Sequence, residues 1–405
     1  MKKERFDISL FSIIFIGFVI GSLCWQLSKV TGIPFYYPSL GLIVVYVLVY
    51  RIYVLFRWSV ISTLLLYAVL LIYNNLNHFR DVNDIFLFPF GIFNFVFPLF
   101  ISAVIVELLI EDDKCINMYY YGRIVFYIFV FTSILTIVSE LISPGIARTV
   151  FVQNTMHRYQ LTFSFAGIYG LSFVIATLVG IRKKIDLYDV LFLTLFIGAV
   201  VMSAFLINII FSAVLVISAV IFRMKPKNIG VYIAILFGVM AIVLINISFL
   251  DDILPLLSGS KYSEYTHKAE QISNLMQYKD MSALLSIRSG VYYISIESFI
   301  KNALFGSGSW LKVAGHSFIL DRLGFIGLFG TLFFVVSIFA ISKRSASLLP
   351  KDYKGLYRIF IYILFLMLLF NPFDDKEFWL IIFVYIPLII TYYINRANKY
   401  DVSFK

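Results

Sequence analysis

The chain has 405 residues, of which 61% are hydrophobic and 14% charged, with a mean hydropathy of +0.93. A water-soluble globule cannot be packed from that composition, so the sequence predicts an all-α polytopic integral membrane protein. The net charge of +10 reads as Lys and Arg placed to set topology against anionic inner-leaflet lipid, which makes membrane lipid the expected partner and argues against nucleic acid.

Apolar runs able to cross a hydrocarbon core of ~30 Å predict about twelve spans, all helical because lipid offers backbone groups no other partner. In chain order they cover residues 8–27, 37–50, 59–73, 85–110, 124–141, 161–181, 190–204, 205–222, 230–249, 317–341, 359–370 and 378–394. The first follows Met1-Lys2-Lys3-Glu4-Arg5 and is similar to a signal sequence, but its apolar stretch is too long and no small-x-small cleavage site follows, so it is expected to remain as an anchor. The stretch 190–222 is one apolar run, divided here because a single helix of that length would overshoot the bilayer. With the N-terminus inside, roughly 21 of the 33 basic residues fall in the shorter, inner connections. Both termini are therefore expected on the cytoplasmic side. Cys24 and Cys115 then lie at opposite faces and cannot pair. The 43 Phe and 27 Tyr read chiefly as lipid-facing and interfacial aromatics.

The chain 1–405 thus reads as a single membrane domain whose distinctive parts are its outer loops. One, 143–160, is of moderate length; the other, 250–316, is by far the longest and includes amphipathic stretches at 262–278 and 289–301 suited to the outer leaflet. All four histidines, His78, His157, His267 and His316, face outward in this topology. Arg288 begins the second amphipathic stretch, which carries Val291, Ile294, Phe299 and Ile300 on its apolar sides and ends in the turn Leu304-Phe305-Gly306-Ser307-Gly308. A guanidinium there suits diphosphate oxygens through its planar fork of donors, and equally suits an interfacial arginine snorkelling to water. His316 stands just before the tenth span, which carries Asp321 and Arg322 about one turn in. Charges at that depth are expected to face protein or a water-filled cleft, because lipid exposure is costly. A neutral imidazole can take a proton from a sugar hydroxyl; it can also simply hold a helix end. No His/Asp/Glu cluster has metal-ligand spacing, so neither a metal nor another cofactor is predicted. Asp374-Asp375-Lys376-Glu377 reads as a solvated turn on a short outer loop, with acceptor-sugar binding as the other reading.

Gly315-His316-Ser317, then nine residues, Gly327, two residues and Gly330, resembles the His-[Asn/Ser/Gln]-x9-Gly-x-x-Gly signature of the O-antigen ligase and O-antigen polymerase (Wzy) superfamily. Arg288 with its downstream Phe-Ile-Lys-Asn-Ala-Leu-Phe-Gly-Ser-Gly resembles a second element of the same proteins. The resemblance covers 288–330; elsewhere it is one of architecture. It implies a metal-independent, GT-C-like glycosyltransferase at the outer face of the bacterial cytoplasmic (inner) membrane, acting on undecaprenyl-diphosphate-linked oligosaccharide. His316 would be the base that acts on the acceptor hydroxyl, and outer-face arginines would bind the diphosphate. Arg288 is one; Arg158 is placed like the family's outer-loop arginine, with Arg148 as its rival, because Ser164-Phe165 and Ile168-Tyr169 replace residues often found after it. Arg322 and Asp321 are further candidates. A chain-length regulator and a flippase are the protein partners implied. Repeat-unit polymerase ranks first, ligase of finished glycan to lipid A core second, and flippase third, since a transporter should gather its ionisable residues at the bilayer midplane.

Overall fold

The computed structural model describes residues 9–23, 35–76, 89–112, 115–142, 165–181, 186–203, 206–224, 292–308, 313, 317–370 and 376–403. All regular structure among the described residues is helical. The helices are α1 (Leu10–Leu23), α2 (Tyr36–Tyr50), α3 (Trp58–Leu76), α4 (Pro89–Asp112), α5 (Cys115–Ile142), α6 (Phe165–Ile181), α7 (Leu187–Met202) and α8 (Leu206–Met224), followed by α9 (292–301), α10 (Phe318–Ser345) and α11 (Lys354–Phe370). The last, α12, starts at Lys376–Leu380, passes through a π-helical turn at Ile381–Tyr385 and continues as Ile386–Ser403.

Among the described residues three segments, Asn117–Ile142, Phe318–Leu348 and Glu377–Arg396, are long and apolar enough to cross a membrane, and shorter apolar helices accompany them. The apolar run 190–222 divides where its length requires: α7 ends at Met202, Ser203 caps it, and α8 starts at Leu206. The predicted span 230–249 and the loop stretches 143–160 and 250–291, with the amphipathic stretch 262–278, lie outside the described residues.

The centre of the molecule is α12, which packs against α4, α5, α6 and α10. It is nearly all buried, yet it is the least apolar of the three long helices; α5 is more apolar and buried along less than half of its length. The pattern within α5 gives the reason. Tyr127, Phe131, Ile134, Val138 and Leu141 recur at helical spacing on its exposed side, while Thr132, Ser133, Thr136 and Glu140 are buried. Lipid is as apolar as these side chains, so nothing drives them inward; the polar groups seek the protein interior because lipid gives them no partner. The α6–α8 contact follows the same rule: Ser172 Oγ donates to Asn208 Oδ1 (2.8 Å), and Asn208 Nδ2 donates to the Ile168 carbonyl (3.2 Å). In α12 the π-helical turn leaves a carbonyl to be taken from outside the helix, and the Tyr357 hydroxyl of α11 donates to Ile382 O at 3.1 Å.

Near its C-terminal end α10 is braced to α4 by an ion pair. Arg344 Nε and Nη2 donate to the two carboxylate oxygens of Glu107 at 2.7 and 2.6 Å, and the Ser59 hydroxyl of α3 donates to the same carboxylate. One turn on, Glu111 receives Arg57 Nη2 at 3.4 Å and the Tyr53 hydroxyl. That bond raises the Tyr53 phenol above its ordinary pKa. These residues occupy the end predicted to face the cytoplasm.

Candidate functional site

The opposite end of α10 is built around its first turn. Ser317 is the N-cap, in extended conformation, and its Oγ accepts from the Leu320 amide at 3.2 Å. Asp321, buried one turn into the helix, reaches back so that Oδ2 accepts from the Ser317 amide (2.9 Å), while Oδ1 accepts from Ser295 Oγ of α9 (2.6 Å). One carboxylate therefore closes the helix start and ties it to α9. Ser298 Oγ, one turn further along α9, donates to the Gly324 carbonyl at 3.1 Å. Both pairs are offset by 26 residues, so α9 and the first turns of α10 run side by side in the same direction.

At Gly327 the helix is interrupted: φ is 68° and ψ −173°. An interruption strands carbonyls before it and amides after it, and each needs a partner. The turn that follows α9 supplies all four. Leu328 N donates to Ala303 O (2.8 Å) and Phe329 N to Leu304 O (3.1 Å), while Ser307 N and Gly308 N donate to Gly324 O (2.8 Å) and Phe325 O (3.0 Å). The backbones approach so closely that a Cβ on Gly306 would overlap the Phe325 carbonyl, and one on Gly327 would overlap Gly306 N and Leu304 O. Both glycines also have positive φ, which residues with a Cβ rarely adopt. The two glycine-bearing elements of the sequence are thus two halves of one backbone lock.

Arg322 is buried beside this lock, its guanidinium 4.5 Å from the Phe318 ring centroid. Phe318 in turn packs on Phe334 (5.2 Å) and on Trp379 of α12 (5.6 Å), so the start of α10 is anchored to the central helix. Asp321 and Arg322 both face protein, as the cost of charge in lipid demands.

His316, Arg288, Arg158 and Arg148 lie outside the described residues, as do Asp374 and Asp375. What the structure brings together is the turn 303–308, the break at Gly327 and the tie from Asp321 to Ser295 and to the amide of Ser317, the residue that follows His316 in the chain. The lock and the tie together fix the start of α10 at Ser317. Ser295 and Ser298 were not singled out in the sequence, and a signal was present: two serines three apart on a helix whose other positions include Tyr293, Ile294, Ile296 and Ile300. On the exposed flank of α9, Lys301 Nζ donates to Glu297 at 2.6 Å, which keeps the ammonium charged to higher pH than an isolated lysine. Among the described residues no group of three or more His, Cys, Asp or Glu side chains is placed to hold a metal ion. No protein-family model matches the chain, and no curated protein matches it in sequence.

Proposed function

We propose that this chain is a GT-C-like glycosyltransferase of about twelve spans that polymerises undecaprenyl-diphosphate-linked repeat units into O-antigen or a related surface polysaccharide. In this reading it lies in the bacterial cytoplasmic membrane with both termini inside and the site outside, and it works without a metal. The observation that carries the proposal is the backbone lock. The resemblance rests on two short elements, and the turn Leu304–Gly308 and the break at Gly327 are hydrogen-bonded to each other through four backbone contacts, as parts of one site would be.

The chemistry assigned is a single displacement. The acceptor sugar hydroxyl gives its proton to the His316 imidazole, whose ordinary pKa of about 6.5 leaves it mostly neutral at pH 7. The hydroxyl oxygen forms a bond to the donor's anomeric carbon as the bond from that carbon to the diphosphate breaks. The electron pair leaves on undecaprenyl diphosphate. Arg288, with Arg158 or Arg148, stabilises the charge gathering there through forked donors that a lysine does not offer. A flippase would hand over the donor, and a chain-length regulator would limit the product.

Surface glycan from a deletion strain, complemented with this gene or left empty, tests the proposal. A single repeat on core in the deletion, with a ladder restored by the gene, is the expected result. Long lipid-linked glycan with none on core would replace polymerase by ligase, and loss of both would replace it by flippase.

A further inference from the structure

The helix α9 is amphipathic in the opposite sense to a helix of a soluble protein. Its serines are the buried side: Ser295 and Ser298 face α10, bonded to Asp321 and Gly324. Tyr293, Ile296 and Ile300 lie on the side turned away from α10 and are exposed, as is Leu304 in the turn that follows. The side chains 293, 296, 300 and 304 are spaced three or four apart, so they share one face of the helix and its extension. A face of that composition left in water would be a liability.

Two observations say what covers it. Leu304 O accepts from Phe329 N, so the apolar turn is level with Phe329. Phe329 and Leu332 are exposed apolar residues of α10, a helix suited to cross a membrane, and Phe305 and Phe329 have ring centroids 6.2 Å apart. The face of α9 therefore continues the lipid-facing side of α10. Its height agrees: Leu328 and Arg344 are separated by a helical rise of about 24 Å at ~1.5 Å per residue. Arg344 is paired near the inner end, so the turn comes close to the outer limit of a ~30 Å core. The charges of α9, Glu297 and Lys301, are paired on its flank.

We propose that the hairpin 292–308 is a membrane-docking element whose apolar face, formed by Tyr293, Ile296, Ile300 and Leu304, rests among the acyl chains of the outer leaflet at their boundary with the headgroups. The partner is bilayer lipid. The hairpin thereby holds the lock at Gly327 at the level of that boundary. The inference rests on the membrane reading of α10 and is independent of the chemistry proposed above.

Single cysteines at Ile300 and Leu304, and at Lys351 in the exposed connection between α10 and α11, would be introduced into a protein with Cys24→Ser and Cys115→Ser. Each is spin-labelled and reconstituted in phosphatidylethanolamine–phosphatidylglycerol vesicles. Collision rates are then read with oxygen, which concentrates in acyl chains, and with a water-soluble nickel chelate. The oxygen-to-nickel ratio at 300 and 304 is expected to exceed that at 351 by about tenfold. A ratio equal to that at 351 would put the face in water, and shielding from both reagents would put it under protein; either result overturns the proposal.

Discussion

The two ends of α10 are secured to their neighbours by different means. Near its C-terminal end the helix is held by side-chain charge: Arg344 makes a bidentate pair with Glu107, and Ser59 completes the carboxylate. At its N-terminal end it is held mainly by backbone, through four hydrogen bonds around Gly327, with the Asp321 carboxylate added to them. An ion pair satisfies itself and has no further work to do. A backbone lock fixes the path of the chain to within a hydrogen-bond length, which is what a reacting centre needs of its supports. Under the proposed function, the first end is a structural brace and the second positions the site.

The largest expected effect breaks the brace, and it is asymmetric. Glu107 is 1% exposed while the Arg344 side chain is 38% exposed, so the arginine can turn to water and the carboxylate cannot. Arg344→Ala should cost about 3 kcal/mol and Glu107→Ala about half of that, read from unfolding of the purified protein in detergent. Equal losses, or the reverse order, would break the account of this end. In the fraction that remains folded, Arg344→Ala should leave transfer rates unchanged. Gly327→Ala comes next, at about 2–3 kcal/mol from the positive φ and the overlap with Gly306 and Leu304. Unlike the brace variants, it should also abolish transfer in protein that still inserts, which a glycan gel together with a membrane-insertion assay would read.

The same contrast was only partly open to reading in the sequence. Helical class and the division near residue 203 follow from composition and apolar run length, which are local properties. The pairing of Arg344 with Glu107 joins positions 237 residues apart, and a lone Glu near a span end says nothing of its partner. The buried side of α9 is harder still. Val291, Ile294, Phe299 and Ile300 read as the apolar sides of an amphipathic stretch, yet Ile300 is exposed and Ser295 fully buried. In a bilayer the apolar side of a helix does not point to the protein interior, so periodicity alone leaves the facing ambiguous. The glycine spacing was legible, but the reason for Gly306 and Gly327, the close approach of two backbones around four groups stranded by a broken helix, appears only when the two segments are placed together.

Smaller changes sharpen the comparison at the N-terminal end of α10. Asp321→Asn keeps the shape: Oδ1 can still accept from the Ser317 amide while Nδ2 donates to the Ser295 hydroxyl, so what is lost is the charge-assisted strength of the two bonds, at a cost of about 1–2 kcal/mol. The expected signature is a large fall in transfer rate with a small fall in stability, the inverse of Arg344→Ala. A variant with full transfer rate would reduce Asp321 to a helix cap. Ser295→Ala should be milder, about 1 kcal/mol, with Asp321 still bonded to Ser317. Because the two share one carboxylate, the double variant should cost less than the sum of the singles.

The most direct test of the central claim is chain extension by the purified protein in lipid nanodiscs supplied with undecaprenyl-diphosphate-linked repeat units, comparing the unaltered chain with His316→Ala. The account predicts a ladder of products from the first and none from the second, with insertion and unfolding unchanged. A ladder of equal length and rate from His316→Ala would contradict the assignment of the base and remove the chemical role given to the N-terminal end of α10.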